Sequence, residues 1–284
     1  EGWSQGPVED KSRSQSRLCP GTGPKVKSGQ KFMEYSKLEM MAISAGRMIS
    51  DGDILFAGTG VSMLAATVAK RIHAPNSVVF FETGGIDPEL DELPLAVADP
   101  RVMSGTSLNT GLIDSFSILA NPRFRSIAFL GAAQIDRYGN LNSTSLGNYY
   151  RPTARFPGSG GACDAASLAS GVIIFMQHEK RRFVEKLDYL TSPGWLTGGD
   201  SRIKAGFMRG GPIAVVTNIA ILEFHSATKE MFLAKTYPGV SAQQVQDQTG
   251  FTIDVSGAGE AEPPSEYELN ILRNQVDPQR LILG

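Results

Sequence analysis

Cysteine and histidine are scarce in this chain. Cys19 and Cys163 are its two cysteines, and His73, His178 and His225 are scattered through its 284 residues. No disulfide framework and no metal-ligand spacing follows from them, so no metal is expected, and each histidine reads as a surface or hydrogen-bonded residue. Net charge is also nearly absent, at −2. That leaves no electrostatic footprint for nucleic acid or an anionic membrane surface, and neither is expected as a partner. No uninterrupted apolar run approaches the roughly 20 residues of a membrane-spanning helix. Residues 1–30 contain no apolar signal core, which leads us to expect a cytoplasmic protein. That segment is rich in Ser, Gly, Pro and charge without periodicity, and reads as a disordered tail with no chemistry of its own.

What remains is ordinary in bulk: 41% hydrophobic and 20% charged residues. Residues 31–284 are long enough to bury a sizeable core and are expected to form a single domain.

The chain is organised around Val78-Val79-Phe80-Phe81-Glu82-Thr83-Gly84-Gly85. Four apolar, β-forming residues predict a strand buried on both faces of a parallel sheet. The glycines end it, because glycine allows a sharp turn and close approach of another group. Glu82 is then expected at the carboxyl end of a central strand, where open α/β sheets place their ligands. A carboxylate there can serve as nucleophile, base or ribose ligand, or simply be solvated.

Upstream, Glu34 to Met48 carries a helical pattern with Leu38, Met41, Ala42, Ala45 and Met48 on one face. Ile54–Ala57 reads as a strand, Gly58-Thr59-Gly60 as a turn, and Val61–Ile72 as a helix with Pro75 just beyond it. With the strand of Glu82 this makes a βαβ unit. Downstream, Asp87–Pro100 reads as a loop over the sheet's rim, Gly111–Ala120 as a helix, Ser126–Leu130 as a buried strand and Arg137–Asn140 as a turn. The glycine-rich loop Gly158-Ser159-Gly160-Gly161-Ala162 opens a small-residue helix through Ala169, and the strand Gly171–Met176 follows. Short strands at Ile213–Val216, Ala220–Phe224 and Met231–Ala234 predict a small antiparallel excursion. Capping boxes at Ser241/Gln244 and Ser265/Glu268 start the last two helices.

Three features can therefore meet at the carboxyl ends of the parallel strands: Gly58-Thr59-Gly60, Glu82 and the loop Gly158–Ala162. Unpaired backbone N–H groups where glycine loops enter helices suit a phosphate or an oxyanion, although each loop can also be only a tight turn. Gly58-Thr59-Gly60-Val61-Ser62-Met63 is a near miss for a dinucleotide fingerprint, with Met63 where the third glycine belongs.

These residues carry a resemblance. Phe81-Glu82-Thr83-Gly84-Gly85-Ile86-Asp87 resembles the Glu-Ser-Gly segment of the β subunits of family I CoA-transferases, of the glutaconate type. Phe129–Asp136 and Gly139–Ser145 are similar to the family's central segment, and Arg155–Ala162 to its glycine loop. Gln177–Phe183, Thr191–Trp195, Val215–Thr217 and Tyr237–Gly239 extend the likeness, which covers residues 31 to the end.

The resemblance implies an open, mostly parallel α/β sheet with helices on both faces, the CoA-transferase fold. It implies ping-pong transfer of CoA between an acyl-CoA and a free carboxylic acid through a glutamyl-CoA thioester on Glu82. Gly158, Gly160, Gly161 and Ala162 would contact CoA or the oxyanion, and Gln134, Asn142 and Ser143 would contact substrate. Coenzyme A is then a co-substrate, with no permanently bound cofactor, and a CoA-transferase α subunit is the expected partner in a hetero-oligomer. A short-chain or dicarboxylic acid such as glutaconate is the expected substrate. Two departures bear on it. Thr83 replaces the family's Ser, and Gly85-Ile86-Asp87-Pro88-Glu89-Leu90 differs from the glutaconate type. The Ser-Glu-Asn-Gly signature of the 3-oxoacid type is absent.

Two alternatives stay open. One is an acyl-CoA hydrolase or decarboxylase on the same fold, in which the glutamate is missing. The other is a non-catalytic module that binds acyl-CoA or a sugar phosphate.

Overall fold

Two turns of glycine and a capped helix set up the first half of the sheet. In the computed structural model residues 33–284 are described, so the tail expected over residues 1–30 lies outside the described residues. Helix α1 (Lys37–Gly46) begins at Ser36, whose hydroxyl accepts from the Glu39 N–H while the Glu39 carboxylate accepts from the Ser36 N–H. This reciprocal cap starts the helix later than its apolar periodicity alone suggests. Strand β1 (Ile54–Phe56), helix α2 (Val61–Ile72) and strand β2 (Val78–Phe80) follow as a βαβ unit, with Leu55 paired to Val79 in parallel register. The chain then adds β3 (Gly85–Ile86), β4 (Leu108–Asn109), α3 (Leu112–Ala120) and β5 (Ser126–Gly131).

Two small antiparallel pairs come next: β6 (Gln134–Ile135) with β7 (Leu141–Asn142), and β8 (Ser145–Asn148) with β9 (Arg151–Arg155). Helix α4 (Ala162–Leu168) leads to β10 (Gly171–Met176). The short helix α5 (Ser201–Lys204) precedes β11 (Pro212–Thr217), β12 (Ala220–Phe224) and β13 (Met231–Thr236). Then come α6 (Ala242–Asp247), β14 (Gly259–Glu260) and α7 (Glu266–Ile271), which one π-helical turn, Leu272–Val276, extends. Both boxes read from the sequence cap α6 and α7.

The main sheet has ten strands in the order β14-β13-β12-β11-β10-β5-β1-β2-β3-β4. Its middle, β2-β1-β5-β10-β11, is parallel throughout. The antiparallel excursion runs through β11, β12 and β13, as expected. A second antiparallel margin, β2-β3-β4, adds to what the sequence predicts. It corrects the position of Glu82, because β2 is the last parallel strand rather than a central one.

Alternate side chains sort onto two faces. Leu55, Ile127, Phe129 and Ile173 join the core under α1, α2 and α7. Phe56, Ala128, Leu130 and Ile174 join the core under α3 and α4. The chain leaves β1 toward β2 on one side and returns to β5 on the other. Helices α2 and α4 therefore cover opposite faces and leave a crevice outside the carboxyl ends of β1 and β5.

Candidate active site

The turn after β2 fixes Glu82. Gly84 donates its N–H to the Phe81 carbonyl at 3.0 Å, and the Phe81 N–H donates to the Gly85 carbonyl at 3.0 Å. Gly84 has φ +101°, and a Cβ there would sit 1.9 Å from the Thr110 carbonyl oxygen, so only glycine fits. Ser115, fully buried on α3, directs its hydroxyl at the Leu112 carbonyl and, at 3.4 Å, at the Glu82 carbonyl. Glu82 is half-buried, and among the described residues no hydrogen bond or ion pair engages its carboxylate.

The glycine loop reaches the same point as it enters α4, which packs on α3 and β5. A Cβ built on Gly161 would lie 2.9 Å from Glu82 Oε2 and 2.2 Å from Phe116 Cζ. Gly161 has an ordinary φ of −79°, so space, and not backbone conformation, demands glycine here. Phe116, buried on α3 and 5.3 Å from the Phe56 ring, forms an apolar wall beside Gly161 and Glu82.

Backbone accounting separates the loop's amides. The Gly158 N–H donates to the Ser143 carbonyl at 3.1 Å, and the Ala162 N–H to the Ser159 carbonyl at 2.9 Å. The Cys163 N–H donates to Ser159 Oγ. Among the described residues the N–H groups of Ser159, Gly160 and Gly161 have no protein acceptor. Of the expected CoA or oxyanion contacts, Gly160 and Gly161, with Ser159, thus keep N–H groups free of a protein acceptor, while Gly158 gives its N–H to Ser143 and Ala162 to Ser159.

Two of the expected substrate contacts lie in a buried hydrogen-bond network. Asn142 is fully buried. Its amide nitrogen donates to Gln134 Oε1 and the Ser145 carbonyl, and its amide oxygen accepts from the N–H groups of Thr144 and Ser145. Gln134, also buried, donates to Asp188 Oδ2 and accepts from the Asp188 N–H. These side chains hold β6 and β7 to the segment around Asp188. Ser143 remains close to the site, with its hydroxyl donating to the Gly158 carbonyl at 2.9 Å.

Gly58-Thr59-Gly60 occupies the carboxyl end of β1, the strand next to β2. Met63 is fully buried in the core under α2, filling the space that a dinucleotide fingerprint keeps empty with its third glycine. His178 lies outside the site. It is stacked on Phe183 at 4.2 Å, with its ring nitrogens 3.2 and 3.0 Å from the hydroxyls of Thr217 and Thr249. Burial pushes its pKa down to about 4, so the ring is neutral. Among the described residues no group of three or more His, Cys, Asp or Glu could hold a metal, and no helix is long and apolar enough to cross a membrane.

The family model described as coenzyme A transferase matches residues 38–248. The β subunit of glutaconate CoA-transferase from Acidaminococcus fermentans is 42% identical over 252 residues, covering 87% of this chain and 94% of that protein. The β subunit of 3-oxoadipate CoA-transferase from Pseudomonas knackmussii is 37% identical over 242 residues, covering 84% of this chain and 92% of that protein. The crystal structure of glutaconate coenzyme A-transferase from Acidaminococcus fermentans superimposes with a TM-score of 0.85 at 41% identity, covering 88% of this chain and 98% of the matched one.

Proposed function

The chain belongs to the coenzyme A transferase family, and we propose that it moves CoA between an acyl-CoA and a free carboxylic acid through a covalent intermediate on Glu82. The approach of Gly161 to Glu82, so close that a Cβ there would lie 2.9 Å from Oε2, is the observation that carries this reading. Among the described residues it sets a carboxylate without hydrogen bond or ion pair near backbone N–H groups without a protein acceptor, beside an apolar wall.

A carboxylate oxygen of Glu82 attacks the thioester carbonyl, the C–S bond breaks, and CoA leaves as thiolate with a mixed anhydride behind it. The thiolate then attacks the glutamyl carbonyl and expels the donor acid as its carboxylate, which leaves a glutamyl-CoA thioester. The acceptor carboxylate attacks that thioester and releases thiolate, which attacks the new acyl carbonyl and returns Glu82 as a carboxylate. No water is consumed and no proton changes hands, so the reaction requires no general base. Each tetrahedral intermediate gathers negative charge on one oxygen. The amides of Gly160 and Gly161 are the donors we assign to that oxygen, worth about 3 kcal/mol each in comparable sites.

The two relatives described above are β subunits of CoA-transferases named for glutaconate and 3-oxoadipate. By analogy the working enzyme pairs this chain with an α subunit and acts on a short-chain or dicarboxylic acid. Initial rates of the paired enzyme, measured against varied acyl-CoA and acceptor acid, should give parallel double-reciprocal lines. Glu82→Gln should lower the rate by more than about 10³-fold, as loss of a nucleophile does. Intersecting lines, or a Glu82→Gln rate near wild type, would replace covalent transfer by direct transfer or hydrolysis.

A further inference from the structure

We propose that Ser143 is a positioning residue that holds the glycine loop against Glu82, an inference resting on the transferase reading of the site. Two hydrogen bonds join Ser143 to Gly158 in opposite directions. Ser143 Oγ donates to the Gly158 carbonyl at 2.9 Å, and the Gly158 N–H donates to the Ser143 carbonyl at 3.1 Å. Ser143 is itself anchored, because its N–H donates to Thr191 Oγ1 at 2.9 Å and the hydroxyls of Thr144 and Thr191 lie 2.7 Å apart. The Phe156 N–H adds a tie to the Thr144 carbonyl.

The first half of the loop needs such ties, because close packing begins only at Gly161. Gly158 and Gly160 adopt φ of +97° and +48°, and a Cβ on either would meet nothing within 4 Å. Side-chain packing therefore does not define their conformation, and glycine has the most backbone freedom to lose. Pro157 has no N–H to offer. The reciprocal bonds at Gly158 are the last connection to the body of the protein before the free amides of Ser159, Gly160 and Gly161. Removing the Ser143 hydroxyl removes half of that clamp and releases the loop where the amides must meet a developing oxyanion. Ser143 is half-buried, and threonine is the substitution that retains its hydroxyl.

The test compares Ser143→Ala with Ser143→Thr in the chain paired with its partner subunit. Amide hydrogen exchange of a peptide spanning residues 156–163 is followed beside steady-state kinetics. Ser143→Ala should speed exchange in that peptide several-fold and lower kcat about tenfold, the equivalent of one hydrogen bond in the transition state. KM for acyl-CoA should stay within about twofold and Tm within a few degrees. Ser143→Thr should restore both exchange and kcat. Unchanged exchange in Ser143→Ala, an equal kcat loss in both variants, or a kcat loss that tracks Tm would overturn the assignment. If Glu82→Gln retains full activity, the transferase reading fails, while the exchange arm still decides whether Ser143 clamps the loop.

Discussion

A methyl group on residue 161 would have to share space with Phe116 Cζ, 2.2 Å away, and Glu82 Oε2, 2.9 Å away. Gly161→Ala should therefore destabilise the fold by about 1–3 kcal/mol, the usual penalty of overpacking, and turn the carboxylate aside. Pairing it with Phe116→Leu gives the methyl room on one side only. The double variant should regain most of the lost Tm and little of the lost kcat. Recovery of both would place the conflict in packing and leave Glu82 out of it. His178 supplies a pH signature away from the site. Its folded pKa, near 4, lies below the ordinary 6.5, so its contribution to stability is complete above pH 6.5. That contribution fades as pH falls toward 4, by about 3 kcal/mol in total, because the unfolded chain takes up the proton first. Urea midpoints at pH 7.5 and 5 should fall less in His178→Gln than in wild type. Residue by residue, legibility is uneven. Glu82 stands out because an apolar run ends on it. The burial of Gln134 is not legible because its partner Asp188 lies 54 residues along the chain, and that of Asn142 because its bonds, to Gln134 and Ser145, depend on how β6 and β7 pair. Phe116 gives no signal at all beyond a helical apolar position.

Among the elements, α4 connects the site to a buried cation. Arg202 on α5 is 1% exposed and has no carboxylate partner among the described residues. It donates instead to the carbonyls of Ala166 and Ser167 at the end of α4, of Pro193 and Gly194, and of Arg209. Burial lowers its pKa to about 10, so it stays charged at neutral pH. Arg202→Leu strands those buried carbonyls and should cost about 3 kcal/mol by urea unfolding, with Arg202→Lys recovering only part of it. A loss under about 0.5 kcal/mol would mean water replaces the guanidinium there. Periodicity and glycine punctuation locate β10 and β12 to the residue and α2 closely, since apolar patterns flanked by turns leave little choice. The pairs β3–β4 and β6–β7 are not legible, because two-residue strands have no period to read. The start of α1 is marked by Ser36 and Glu39, a capping box of the same spacing as those before α6 and α7, which apolar periodicity passes over.

At the scale of the whole molecule, the parallel middle of the sheet aligns the carboxyl ends of β2, β1 and β5 on one rim, and that alignment lets residues distant in sequence meet at Glu82. The rim is open on one side. Leu108, Leu112 and Ile113, which flank the strand and helix backing the Glu82 turn, are 55%, 59% and 82% exposed. Anhydride and thioester intermediates need water kept away. Under the proposed function the isolated chain should therefore transfer CoA poorly, and adding the partner subunit should raise the rate at least about tenfold. A partner-independent rate would show that this chain closes its own site. The central claim is the covalent intermediate on Glu82, and intact mass after borohydride treatment tests it most directly. The paired enzyme is mixed with an acyl-CoA, and borohydride reduces an enzyme thioester to an alcohol. A loss of about 14 Da mapped to Glu82, and absent in Glu82→Gln, is the predicted result. Steady release of CoA with no change of mass at Glu82 would contradict it.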